Sequence, residues 1–216
     1  MKTRTKAALT VLCALLLVVA TFLGTLAYMT SKATVTNTFT VGNVTITMDE
    51  AKTDLYGVKL NTEGNVFEDN GDTIADRVMA NDLKLIPGHT YTKDPTVHVT
   101  ADSEPCWVFV EVSDDIKALQ AETTVANQIT AKGWTQLVVD EVPVEGVYYI
   151  DHATMGVADY DVFETLTIKT DVDLNAFMAG YDNVNKPTLS LTAYAIQKDG
   201  LATVAAAWTA VNAAQN

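Results

Sequence analysis

The sequence predicts a mainly β protein: an antiparallel β-sandwich with a few short peripheral helices. Apolar and polar residues alternate in several short stretches, the period-two pattern of strands that bury one face. Strand and helix candidates do not follow each other in regular alternation, which argues against a parallel α/β sheet. The chain has 216 residues, a length that suits one domain.

The first strand signal, in residues 34–49, changes phase in the middle. Apolar residues occupy odd positions at Val35, Phe39 and Val41, and even positions from Val44 onward. A phase change of one residue reverses the apolar face, so we expect a bulge or tight bend at Gly42. Residues 28–41 are therefore predicted to form a strand separate from the one that follows.

The rest of the chain carries further strand signals and three helix signals. Strands are predicted at 96–100, 106–113, 135–140, 146–151, 163–170 and 188–197, with a Pro-Gly turn in 85–89 and a polar surface loop over 61–76. Apolar residues at helical spacing predict one helix capped by Asp171, through Leu174, Phe177, Met178 and Tyr181, and another through Leu201, Val204, Trp208 and Val211. A shorter helix is expected over 113–120.

The N-terminus has the pattern of a secretory signal peptide. Three basic residues precede an apolar run, and small residues close it at Ala27. Cleavage is therefore predicted between Ala27 and Tyr28, which makes the protein secreted and leaves the uncleaved signal peptide as its only contact with a membrane. The alternative is a retained anchor, since residues 7–27 are roughly long enough to span a bilayer of about 20 apolar residues.

Charge and cysteine content narrow the range of possible functions. Removal of residues 1–27 takes away Lys2, Arg4 and Lys6, which changes the net charge from −13 to −16. Such an acidic chain repels nucleic acid, whose affinity comes from Lys and Arg on phosphates. Cys106 is then the one remaining cysteine, and its apolar neighbours predict a buried side chain rather than a reactive thiol.

The residues offer little catalytic chemistry. The three histidines lack the spacing of a zinc-peptidase helix, and no nucleophile elbow or phosphate loop is present. Asp171, Asp173 and Asn175 match part of an EF-hand loop, but Ala176 stands where that loop needs glycine. These acids are better explained as helix-capping residues. Residues 68–72 form an acidic loop, for which a weak cation site and a solvated loop both remain open. No cofactor and no metal site are predicted.

Several stretches resemble the TasA/camelysin family of secreted Gram-positive proteins. They are Leu26-Ala27-Tyr28 through 38–46, Leu85-Ile86-Pro87-Gly88, 93–97, 104–110, and 191–197 with Trp208. The resemblance implies a jelly-roll-like sandwich, cleavage by a SipW-type signal peptidase, and a role as a subunit of extracellular biofilm-matrix fibres. Some members have been labelled metallopeptidases, but this chain carries no recognisable zinc motif.

The sequence thus predicts a signal peptide (1–27), an N-terminal donor strand (28–41) and one β-sandwich domain (42–216). The expected function is a non-enzymatic fibre subunit that partners itself, with Val35, Phe39, Val41 and Gly42 at the subunit contact. A free N-terminal strand can add to the sheet edge of a neighbour, and repetition of that contact gives an open filament. On residues alone, pairing within the strand's own sheet remains an alternative, and so does a monomeric surface binding module or adhesin.

Overall fold

The computed structural model describes residues 30–34, 37–38, 44–68, 72–182 and 184–215, with the side chains described from Val44 onward. The described strands are β1 (Thr30–Thr34), β2 (Asn37–Thr38), β3 (Ile46–Asp49), β4 (Thr90–Thr92), β5 (Thr96–Val99), β6 (Cys106–Asp114), β7 (Thr135–Val139), β8 (Val142–His152), β9 (Ala158–Asp161), β10 (Thr165–Thr167) and β11 (Leu189–Gln197). The helices are α1 (Val125–Ala131), α2 (Leu174–Met178) and α3 (Val204–Ala213), with a 3₁₀ turn at Lys117–Leu119.

The described strands form three antiparallel sheets. The largest has the order β2-β1-β11-β6-β8-β7, and the smaller ones have the orders β3-β5-β9 and β10-β4. At its centre β6 pairs with β11 from Asp114↔Leu189 to Cys106↔Gln197. At one edge, β7 and β8 are joined at Asp140 and Glu141, whose φ angles of 50° and 65° match the two-residue type I′ hairpin.

The main core lies between the large sheet and the two smaller sheets. Residues from both the large and the smaller sheets point into it, among them Ile46, Val97, Val108 and Ala193, all fully buried. The predicted alternation at Val44, Ile46 and Met48 is confirmed, since all three are buried. The predicted class is confirmed as well: the fold is a mainly β antiparallel sandwich with short peripheral helices.

A second core covers the outer face of the large sheet. The C-terminal helix α3 packs Trp208 and Val211 against Phe109, Tyr194 and Leu137 of the sheet. Thr203 caps this helix, since its side chain accepts a hydrogen bond from the backbone of Ala206. The large sheet is therefore buried on both faces where α3 lies.

Several local predictions need correction. Residues 113–120 do not form a helix, because Ser113 and Asp114 continue the pairing of β6 with β11 and only a single 3₁₀ turn follows. The cap of α2 is Asp173 rather than Asp171, and its carboxylate accepts hydrogen bonds from two backbone amides at 3.0 Å. The strand predicted at 163–170 is shorter, and α1, β4 and β9 were not predicted.

Candidate functional site

The N-terminal segment meets the sandwich along β11, on the side of that strand that does not pair with β6. One side of β11 pairs with β6, and β1 pairs with the other side from Thr30↔Ile196 to Ala33↔Ala193. Beyond β1, the short β2 pairs with β1 and forms the outermost strand of the sheet. The backbone of β11 thus offers a row of hydrogen-bonding groups that an extended segment satisfies.

Neighbouring elements turn this edge into a groove, which we call the β11 groove: the edge of β11 flanked by β3 and α3. Both β3 and α3 contact β1. Leu191, Ala193 and Ala195 of β11 face the main core, whereas Tyr194 and Ile196 face α3. The groove therefore combines main-chain pairing with apolar surroundings on both faces, the two sources of affinity in strand addition.

The α3 wall of the groove is anchored by aromatic packing. The ring centroid of Trp208 lies 5.2 Å from that of Phe109 and 5.8 Å from that of Tyr194. The Tyr194 hydroxyl donates to Glu111 Oε2 at 3.0 Å. Burial, together with the charge of Glu111, raises the pKa of Tyr194 to about 12, so this hydroxyl keeps its proton at neutral pH. The wall is thus held to the sheet by both apolar and polar contacts.

The residues predicted to make the subunit contact, Val35, Phe39, Val41 and Gly42, lie outside the described residues, as do Ala27 and Tyr28 at the predicted cleavage site. The described parts of 28–41 form two strands, β1 and β2, rather than a single one. In this structure β1 pairs with β11 of its own chain. This pairing identifies the β11 groove as a position that accommodates the described part of the N-terminal segment.

A polar network connects the long segment between β3 and β4 to the β3-β5-β9 sheet. Arg77 pairs with Asp49 and donates to the backbone oxygen of Asp94 at 2.8 Å. The ammonium of Lys93 lies 2.5 Å from Glu50, and both side chains are buried. Movement of this segment would separate the buried pair and leave an uncompensated charge, so the network favours one position of the segment.

His98 belongs to the same network. Its Nδ1 lies 2.7 Å from Asp159 Oδ1, and its Nε2 lies 3.0 Å from Asp49 Oδ1. Burial alone lowers the pKa of His98, but the hydrogen bonds to Asp159 and Asp49 outweigh burial and raise it. Burial raises the pKa of Asp49, yet Arg77 and His98 more than offset it and lower that pKa. The imidazole of His98, on β5, thus links Asp49 of β3 with Asp159 of β9.

The remaining histidines have separate surroundings. His89 Nε2 lies 2.8 Å from the backbone oxygen of Tyr56, and the buried His152 lies with Nδ1 2.8 Å from the Tyr160 hydroxyl. Cys106 is fully buried, as predicted, and burial raises the pKa of its thiol to about 12. Over the part of the chain that the structure describes, no three His, Cys, Asp or Glu residues are grouped as metal ligands.

Within that same part of the chain, no helix has the length and apolar character needed to cross a bilayer. Comparison of the chain with family models, with curated proteins and with solved structures finds no match. The groove could not be found from sequence, because local patterns identify strands but not which strand ends at a sheet edge.

Proposed function

We propose that this chain is a secreted, non-enzymatic structural subunit that assembles head-to-tail into extracellular fibres. In the fibre, the N-terminal strand of one copy occupies the β11 groove of the next. The observation that carries this proposal is that the N-terminal strand β1 pairs with β11 on the side that β6 does not occupy, between β3 and α3. The signal-peptide pattern supports export, and the resemblance to the TasA/camelysin family supports a biofilm-matrix role and processing by a SipW-type peptidase.

Exchange between copies needs no new surface. The contacts that β1 makes with its own β11 are the same contacts that it makes with a neighbour's β11, so the exchanged state differs mainly in chain connectivity. Exchange of an identical element is a low-cost route to association, and a contact that does not close into a ring gives a filament. Raised protein concentration therefore favours the fibre.

A cysteine cross-link tests which chain supplies the strand. Ala33 and Ala193 are opposite each other in the pairing of β1 with β11. Directly opposite residues in an antiparallel pair have Cβ atoms about 4.5–5.5 Å apart, a separation that a disulfide can adopt with little backbone movement. The native Cys106 does not compete, because it is buried and its pKa is raised.

Two variants of the mature protein, one carrying Ala33→Cys and the other Ala193→Cys, are mixed, concentrated and oxidised. The proposal predicts disulfide-linked dimers in a non-reducing gel, and the double variant should give a ladder of longer species. A mixture of Ala33→Cys with Ala195→Cys is the matched control, since that pair is out of register by two residues. Strand exchange is contradicted if the double variant yields only an internally linked monomer and the mixture of Ala33→Cys with Ala193→Cys yields no dimer.

The second candidate is a closed monomer that acts as a surface binding module or adhesin. The pairing of β1 with β11 of its own chain favours it. In that case β1 remains in place at all concentrations, and the same cross-linking experiment gives the internal disulfide alone.

A further inference from the structure

A cavity lies at the end of the sandwich opposite the site where β1 enters the sheet. It is enclosed by the end of β6, the start of β8, the 3₁₀ turn and α1, and its volume is about 360 Å³. That volume lies at the lower end of the range of small-molecule sites, about 300–1,000 Å³. The cavity does not take part in the proposed assembly.

The inner wall of the cavity is apolar and fixed in position. Val125 and Ile129 of α1 line it and are buried, 1% and 0% exposed. Gln120 holds the start of α1, since its Oε1 accepts from the amide of Val125 at 2.9 Å. Gly146 allows β8 to pass close to β6, because a Cβ there would lie 2.5 Å from the backbone oxygen of Val112. The cavity is therefore largely preformed, as ligand sites usually are.

Tyr148 contributes a polar group without a protein partner. The residue lines the cavity and is only 7% exposed, yet no described residue forms a hydrogen bond with its hydroxyl. Burial raises the pKa of Tyr148, while the charges of Lys117 and Glu145, which also line the cavity, act on that pKa in opposite directions. Although the residue as a whole is buried, its hydroxyl is not among the buried unpaired side-chain atoms of the described structure, so it retains contact with the cavity space and is available to a ligand.

The mouth of the cavity is acidic. Asp114, Asp115 and Glu145 line it together with a single cation, Lys117, whose ammonium lies 2.8 Å from Glu145. Asp114 accepts hydrogen bonds from Gln120 and from the amide of Ile116, but no cation lies against it in the described structure. Burial raises the pKa of Asp114, although the hydrogen bonds from Gln120 and Ile116 and the charge of Lys117 act in the opposite direction. An entering anion would meet repulsion, whereas a cation would be attracted.

We propose that this cavity binds a small organic cation, an amine with a compact aromatic or aliphatic body. The apolar body packs against Ile129 and the ring of Tyr148, the Tyr148 hydroxyl hydrogen-bonds the ligand, and the ammonium faces Asp114 and Asp115. This site is independent of fibre formation.

Three probes of one shape and different charge test the proposal on the mature protein. They are 2-phenylethylamine, 2-phenylethanol and 3-phenylpropanoate, each titrated near neutral pH while amide shifts are followed by NMR. The amine is expected to saturate with a dissociation constant on the order of 1 mM, typical of a ligand of this size, and to shift α1 and the ends of β6 and β8. The alcohol should bind several-fold more weakly, and the carboxylate should not bind. Equal shifts with all three probes, or no saturation by the amine up to about 10 mM, overturn the proposal.

Substitutions locate the site. Ala126→Phe places a ring inside the cavity and should abolish amine binding, whereas Thr130→Ala, on the same helix outside the cavity lining, should leave the affinity unchanged. Tyr148→Phe keeps the ring and removes the hydroxyl, so it should weaken binding roughly two- to tenfold. Amine binding that survives Ala126→Phe at full strength contradicts the assignment. If Ala126→Phe fails to fold, Tyr148→Phe and the three probes on the unmodified protein decide the question.

Discussion

Substitution of Trp208 by alanine tests the role of α3. Trp208 is 7% exposed, and its ring lies against Phe109 and Tyr194. Replacement of a buried tryptophan by alanine costs about 3–5 kcal/mol, since it removes apolar burial and leaves a cavity. For a domain of this size, each kcal/mol lowers the melting temperature by about 2–4 °C, so we expect a decrease of roughly 6–20 °C.

The measurements are thermal unfolding and urea unfolding of the mature protein, both followed by far-UV circular dichroism. Thr209→Ala is the matched control, because Thr209 is the next residue of α3 and is exposed. Its free energy of unfolding should stay within about 0.5 kcal/mol of the unmodified protein. If Trp208→Ala unfolds at the same urea concentration as Thr209→Ala, then α3 is not part of the cooperative fold and the outer core has been misassigned.

Three further predictions concern His98, Cys106 and the effect of a chelator. Because the pKa of His98 is raised above its ordinary value of 6.5, its contribution to stability is complete below that value and is lost as pH rises through the folded pKa. The difference in urea midpoint between the unmodified protein and His98→Asn should therefore shrink as the pH is raised above 6.5, and a difference that stays constant contradicts this. Cys106, with its pKa raised to about 12 by burial, should react with a thiol reagent only as the protein unfolds, and rapid labelling in native buffer would count against its burial. A chelator should leave the melting temperature unchanged, since the described residues group no three potential metal ligands; a large decrease that calcium restores would assign a cation site to 68–72.

Strong local patterns made the centre of the fold predictable. β6 and β11 are long and rich in apolar, strand-forming residues, their centres are buried on both faces, and their predicted ranges agree with the structure to within one residue at each end. α3 was predicted from four apolar residues at helical spacing, of which Trp208 and Val211 are buried. In these elements the local propensity and the tertiary packing favour the same structure.

Weak or competing patterns explain the differences. β9 is four residues long, with half-exposed and exposed positions and two aspartates, so its propensity for strand is low. α1 buries only Val125 and Ile129, and a β-branched pair in seven residues is a weak helix signal. The acids at 114 and 115 suggested a helix start, but the backbone of Asp114 pairs with Leu189, 75 positions further along the chain. Pairing over such a distance leaves no trace in a local pattern.

The β11 groove and the cavity could not be predicted from the sequence for the same reason. The β11 groove depends on strand order, and the cavity depends on α1 lying over β6 and β8. The sequence identified the N-terminal segment as strand-forming and separable, but not the edge that receives it. Tyr148 gave no signal either, since an alternating tyrosine in a strand is typical of any sheet.

Fibre formation by the mature protein, with and without residues 28–40, tests the central proposal most directly. Both forms are concentrated, sedimented and imaged by negative-stain electron microscopy, and circular dichroism establishes that each is folded. We expect ordered filaments from the complete mature chain and a folded monomer from the shortened one, because the deletion removes β1 and β2 while leaving the β11 groove in place. Filaments formed equally well by the shortened chain, or a complete chain that stays monomeric at every concentration, would contradict assembly through the N-terminal strand.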